Sequence, residues 1–126
     1  MKDNTLFPNS IAVVGVSKER SKIGSVIYHN VIEGGYKGKI YPVNPKYKEI
    51  EEKTCYPDLL SISGHIDLVC IVVPSQFVEG IVDDCIKKKV NTVVIISSGF
   101  KETGQEGKEL EERITSKLQN AGIRLI

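Results

Sequence analysis

The sequence predicts an α/β fold: a doubly wound, Rossmann-like parallel sheet of about five strands in the order 3-2-1-4-5. Short apolar runs recur along the chain, and each is followed by a segment whose apolar residues fall at helical spacing. The runs are nearly continuous rather than alternating, so each reads as a strand buried on both faces, with helices above and below the sheet. Right-handed crossovers then leave few topologies. The 126 residues, 40% hydrophobic and 26% charged, are the size of one ordinary domain, taken as residues 1–126.

Ile11 to Val14 is the first strand and ends at Gly15. After a polar loop, Ser17 to Lys22, the residues Ile23, Val26, Ile27 and Val31 form a helical stripe that stops at Gly34-Gly35, a plausible C-terminal cap. Lys39 to Val43 is the second strand, closed by Asn44-Pro45, since Pro45 disfavours helix before it and donates to no ladder. Pro57 to Ile62 reads as a short helical turn. Leu68 to Val73 is the third strand, stopped by Pro74. In the next helix Phe77, Ile81 and Cys85 make one stripe, thickened by Val78, Val82 and Ile86, and Lys87 to Lys89 suit its negative end. Val93 to Ile96 is the fourth strand, Leu110, Ile114, Leu118 and Ala121 mark a last helix, and Ile123 to Ile126 begins a fifth strand.

Composition excludes several classes. A net charge of +1 gives no global attraction to nucleic acid or to a membrane surface. No apolar run approaches the roughly 20 residues of a membrane span, and Met1 to Thr5 lacks the pattern of a secretory leader. Cys55, Cys70 and Cys85 are widely spaced, without a Cys-x-x-Cys pair. Cys70 and Cys85 read as small core hydrophobes, and the three together fit a reducing, cytoplasmic compartment rather than metal ligation. His29 and His65 read as ordinary helix and loop residues.

In a doubly wound sheet ligands bind beyond the carboxyl ends of the strands, where strand order reverses. The first such loop runs from Gly15, Val16 and Ser17 to Ile23 and Gly24, and it places Lys18, Arg20 and Lys22 around the helix terminus. Its glycine permits a tight turn, and the helix that follows aims free N–H groups at an anion. The second strand ends in Val43, Asn44, Pro45 and Lys46, with no acid before Glu49 to grip the two hydroxyls of a bare ribose. A cation at Lys46 suits a phosphorylated ribose, whether the 2′-phosphate of NADP or the 3′-phosphate of coenzyme A. Val73-Pro74 opens a helix, and Ser97, Ser98 and Gly99 offer hydroxyls and close backbone approach.

Taken together, Gly15-Val16-Ser17, Lys22-Ile23-Gly24, the stretch Tyr41 to Lys46, Val72-Val73-Pro74 and the stretch Ser97 to Gly104 resemble the coenzyme-A-binding domain of ADP-forming (NDP-forming) acyl-CoA synthetases. They are similar, more distantly, to the alpha subunit of succinyl-CoA synthetase, and the same domain opens certain protein lysine acetyltransferases. The likeness runs from about Phe7 to Ile126. It implies a domain that binds coenzyme A or acyl-CoA and positions the thiol. Ser17 and the loop to Gly24 would wrap the phosphates, Lys46 would meet a phosphate beside Val43 and Pro45, and Ile96, Ser97 and Ser98 would line the path toward the thiol. Val16 and Ser98 stand where the family usually has alanine, and a valine at 16 is expected to add bulk near the ligand. The family's phosphorylated histidine and its ATP-handling module match nothing in the chain. The domain alone is therefore expected to be non-catalytic, with further synthetase domains or an ATP-grasp subunit as partners. Two alternatives stand beside this: an NADP(H)-binding Rossmann domain of an oxidoreductase or redox-sensing regulator, and an interaction domain with a vestigial pocket.

Overall fold

In the computed structural model, which describes residues 8–97 and 104–126, the apolar runs pair with one another as parallel strands. The elements are β1 (Ser10–Val14), α1 (Ile23–Glu33), β2 (Lys39–Val43), a small hairpin of β3 (Glu49–Ile50) and β4 (Lys53–Thr54), a 3₁₀ turn (Leu59–Ser61), β5 (Leu68–Ile71), α2 (Ser75–Lys88), β6 (Thr92–Ile95), α3 (Gln105–Asn120) and β7 (Arg124–Leu125). The five strands β2-β1-β5-β6-β7 form one sheet, parallel throughout. No helix among the described residues is long and apolar enough to cross a membrane.

The doubly wound parallel class is as expected, but one strand sits elsewhere than the order 3-2-1-4-5 puts it. β5 lies between β1 and β6, with Val13 opposite Cys70 and Val14 opposite Ile71, instead of flanking β2. Pro42 supplies the reason. Its carbonyl points away from β1, where it accepts from the Tyr56 amide at 3.0 Å. In an extended strand a residue's N and C=O face the same side, so the missing N–H of Pro42 lies on the outer edge, and a proline fits an edge strand. Among the described residues the outer side of β2 carries only an isolated bridge, Val43 to Tyr56. The result is the other common doubly wound order, and it keeps the switch point beside β1.

Alternation along the strands feeds two cores. Ala12, Val14, Val43, Val69, Ile71 and Val93 face α2, α3 and the 3₁₀ turn, against Val78, Val82, Cys85, Ile114 and Leu118. Ile11, Val13 and Cys70 face the other way, toward Tyr28 of α1 and toward Ile50 and Cys55 of the hairpin segment. All three cysteines are free and buried. Burial pushes the Cys70 thiol up to about 11 and the Cys85 thiol to about 12.

Both stripes expected on the first two helices are rotated. α1 buries Gly24, Ser25 and Tyr28 and leaves Ile23 and Val26 exposed. α2 buries Val78, Val82 and Cys85 and leaves Phe77 57% exposed. Small residues at 24 and 25 let the start of α1 settle onto the sheet, which turns its larger apolar neighbours outward. α2 and α3 are joined by ion pairs: Glu79 accepts from Arg113 at 2.7 Å and from Lys117 at 2.9 Å, and Lys117 also reaches Asp83 at 3.0 Å.

Hydrogen bonds from Arg113 and then Lys117 hold the Glu79 carboxyl at about 2, below its ordinary value of 4.5. Its folded value is depressed, so its contribution is complete above the unfolded value and is lost as pH falls toward the folded one. Urea midpoints of wild type and Glu79→Gln should differ at pH 7 and converge as pH falls from about 5 to about 2. A constant gap would mean that the pairs contribute nothing that titrates.

Candidate functional site

Val14 is level with Val43 on one side and Ile71 on the other, so β1, β2 and β5 end together and form a crest. The chain leaves β1 through Gly15 at φ +107°, a conformation that L side chains rarely adopt. A Cβ at Gly15 would sit 2.0 Å from the Val72 carbonyl oxygen. Gly24, in the first turn of α1, is equally confined: its Cβ would lie 2.3 Å from the Gly15 carbonyl oxygen. The start of α1 therefore stands directly on the backbone leaving β1. Ser25, fully buried, fixes the loop there by donating to the Ser17 carbonyl and accepting from the Ser17 amide.

Two helices open onto this crest without a side-chain cap. The N-caps of α1 and α2 are Lys22 and Pro74, neither makes a side-chain cap bond, and neither first turn carries an acid. Their amide donors and the positive ends of their dipoles suit an anion.

Beside Gly15 lies a cleft of about 430 Å³, walled by Val43, Asn44 and Pro45 on the β2 side and Val73, Pro74 and Phe77 on the α2 side. Pro57, Leu59, Gly80 and Ile81 extend the apolar lining, and Asp58 and Asp84 add two carboxyl groups. Burial first, and the charge of Asp58 second, push the Asp84 carboxyl above its ordinary value. Asp58 is partly engaged, accepting from the backbone and hydroxyl of Ser61 at 2.8 Å each. Asn44 ties the two sides of the crest: its side chain donates to the Val16 carbonyl and accepts from the Lys46 amide, both at 2.9 Å.

The loop cations separate. Arg20 is held outside the crest by Glu51 of the β3–β4 turn, with Nε 3.0 Å from the carboxylate. Glu51 also contacts His29 at 2.6 Å, and bonds from Arg20 and then His29 lower its carboxyl from the ordinary value. Lys22 lies 3.7 Å from Glu19. Lys18 and Lys46 instead flank one ring, that of Tyr47, at 5.3 Å and 5.9 Å from its centroid. The Tyr47 hydroxyl lies 3.4 Å from that of Ser17, and this bond, above all, lowers the phenol from its ordinary value.

Of the residues expected at the site, Gly15, Val43, Asn44, Pro45, Val73 and Pro74 line the cleft. Ser17 and Gly24 shape the adjoining loop, and Lys46, next to Pro45, approaches the Tyr47 ring. Val16 departs from expectation: its side chain is wholly buried with Val13, Tyr28 and Ile50, so the valine adds bulk to the core and not to the ligand side. Ile23 is 61% exposed at the helix start, and Ile96 is exposed just past β6, its amide bonded to the Ile71 carbonyl at 2.8 Å. Ser97 is half-buried beside it. Ser98 and Gly99 lie outside the described residues. Sequence reasoning missed Asp58, Phe77, Ile81 and Asp84 on the cleft, and it left Tyr47 out of the site. An aromatic directly after Asn-Pro-Lys was the available signal for Tyr47. Nothing local marked Asp84.

Residues 9–126 match the sequence profile described as CoA binding domain. The chain is 44% identical over 123 residues to the alpha subunit of the ADP-forming acetate–CoA ligase I of Pyrococcus furiosus, a match that covers 94% of this chain and 27% of that protein. It is 42% identical over 120 residues to the ADP-forming acetate–CoA ligase of Methanocaldococcus jannaschii, covering 95% of this chain and 16% of that one. A solved structure of the dinucleotide forming acetyl-coenzyme A synthetase 1 of Ca. Korarchaeum cryptofilum, in complex with phosphate and ADP, superposes with a TM-score of 0.89 at 44% identity, over 100% of this chain and 27% of that chain. The chain thus spans about a quarter or less of the length of the curated relatives it matches.

Replacing Gly15 tests the close approach on which the crest is built. Gly15→Ala should cost about 3 kcal/mol, from the strained φ and the collision with Val72 together. Asn44→Ala, which removes the tie across the crest, should cost about 1–2 kcal/mol. Chemical denaturation measures both, and a neutral Gly15→Ala would contradict the packing described.

Proposed function

Since the chain belongs to the CoA-binding-domain family, we propose that it binds coenzyme A across the crest of its sheet and presents the thiol to chemistry carried out by other domains. The observation that carries this reading is the combination at the switch point. Two uncapped helix starts flank Gly15, an apolar cleft lies between Pro45 and Phe77, and Lys46 directly follows the Pro45 that lines it.

Each part suits one part of the ligand. The cleft accepts a flat heterocycle between the prolines and the phenyl ring, and the Asp58 and Asp84 carboxyls suit the exocyclic amine of adenine. The ribose then lies toward Lys46, whose ammonium meets the 3′-phosphate. The diphosphate passes over the amides of the Gly15–Gly24 loop, where the α1 dipole offsets its charge. The pantetheine arm continues past Val73 toward Ile96 and Ser97.

In this reading the acyl-transfer chemistry belongs to other domains. The crest's contribution is to hold the thiol in one orientation, an effect that amounts to several kcal/mol of a barrier. The relatives are ADP-forming CoA ligases much longer than this chain. We therefore assign the domain to a protein of that kind, with acyl phosphate formation and nucleotide handling in further domains or an ATP-grasp partner, in the cytoplasm.

Calorimetric titration tests this. Coenzyme A should bind one-to-one, and Lys46→Ala should weaken binding by about 1.5–3 kcal/mol through loss of a charge-assisted contact. NADPH, which shares a ribose phosphomonoester, should leave its fluorescence unchanged on mixing. Absence of heat with millimolar coenzyme A would overturn the proposal, and tight NADPH binding would replace it with a nicotinamide-linked function.

A further inference from the structure

Lys18 and Lys46 come from different loops, 28 positions apart in the sequence, yet their ammonium groups approach the same ring. Lys18 follows β1 and Lys46 follows β2, and the Tyr47 ring lies within cation–π range of both, at 5.3 Å and 5.9 Å. Neither lysine lies within ion-pairing distance of a carboxylate among the described residues, whereas Arg20 and Lys22 each have one. Two like charges gathered at one point repel unless something negative lies between them. The electron-rich face of the Tyr47 ring supplies that in the free protein.

The ring is itself well anchored. Tyr47 packs against the core cluster that contains Val16, Tyr28 and Cys55, and its amide donates to the Asn44 carbonyl at 3.3 Å. At its polar end, Ser17 Oγ accepts from the Glu19 amide at 3.1 Å, which leaves the hydroxyl proton of Ser17 for Tyr47 Oη at 3.4 Å. The two loops are thereby locked in register. Ser17, Lys18, Lys46 and Tyr47 form one unit that joins the loop after β1 to the turn after β2.

We infer that Tyr47 is a specificity-determining positioning residue, which holds Lys18 and Lys46 together as a two-cation clamp for a ribose-bound phosphomonoester. Such a group carries close to two negative charges at neutral pH and three acceptor oxygens, so two ammonium donors match it. A phosphodiester, with one charge, gains less from the second. This inference rests on the coenzyme A reading and adds to it the identity of the second cation and of the residue that places both. Tyr47 itself touches no reacting atom.

The experiment compares coenzyme A with dephospho-coenzyme A by calorimetry on wild-type protein and on Tyr47→Leu, Tyr47→Phe and Lys18→Ala, with thermal melting to confirm folding. Wild type should prefer coenzyme A. Tyr47→Leu and Lys18→Ala should each weaken coenzyme A binding about tenfold while leaving dephospho-coenzyme A within about twofold. Tyr47→Phe keeps the ring and should retain most of the preference. Equal losses for both nucleotides in Tyr47→Leu would overturn the inference, because a merely structural tyrosine affects both alike. An unchanged preference in Lys18→Ala would overturn it as well, and does not depend on the fate of any Tyr47 variant. If wild type binds both nucleotides equally, the clamp fails while coenzyme A binding stands. Should wild type bind neither, both readings fall.

Discussion

Everything at the crest depends on backbone meeting backbone. Gly15 lies against the Val72 carbonyl and Gly24 against the Gly15 carbonyl, with no room for a single extra carbon at either contact. These approaches bring the ends of β1 and β5 and the start of α1 together, so that the uncapped amides of the helix open where the strands stop. Side chains then only refine what the backbone has made: Ser25 holds the loop, Asn44 holds the turn after β2, and both act through bonds to main-chain atoms. A binding surface built from amides recognises phosphate without placing a fixed charge inside the fold.

Charge is distributed with the same economy. The chain is almost neutral, yet its ionic groups are sorted. Arg113 and Lys117 are taken up by Glu79 and Asp83 on the helices away from α1, and Arg20 is taken up by Glu51. Glu51 and Glu52 adopt left-handed backbone, at φ 51° and 68°, a turn in which glycine or asparagine is the usual choice. That turn brings the Glu51 carboxylate to Arg20 and His29 at once. Lys18 and Lys46, beside Tyr47, are the cations of the crest that this sorting leaves without a carboxylate partner among the described residues.

Much of the fold was legible in the sequence because continuous apolar runs of four or five residues, such as Val69 to Val72, have few other uses. The two-faced burial of those runs and the termini of the helices followed. Strand order was less accessible. Pro42 marks an edge strand only once its register is known, because the same proline facing β1 would have broken that pairing instead. Helix stripes were read one step off, since the small Gly24 and Ser25 do the burying while Ile23, Val26 and Phe77 remain outside. The segments named for the site do meet at the crest, but the arrangement of charge within them was not legible. Arg20 and Lys18 look equivalent in a basic loop, and only the hairpin that carries Glu51, some thirty positions further on, distinguishes them. Asp84 reaches the cleft from α2 by the pitch of that helix, a placement no local pattern announces.

The central claim is spatial: a single ligand lies over Gly15, between the turn after β2 and the start of α2. Amide chemical shifts of labelled protein, followed by two-dimensional NMR as coenzyme A is added, test it residue by residue. The account predicts that the largest changes fall in Gly15 to Gly24, Asn44 to Tyr47 and Ser75 to Phe77, with α3 unmoved. Changes centred on α3 or on the outer edge of β7, with the glycine loop silent, would contradict it.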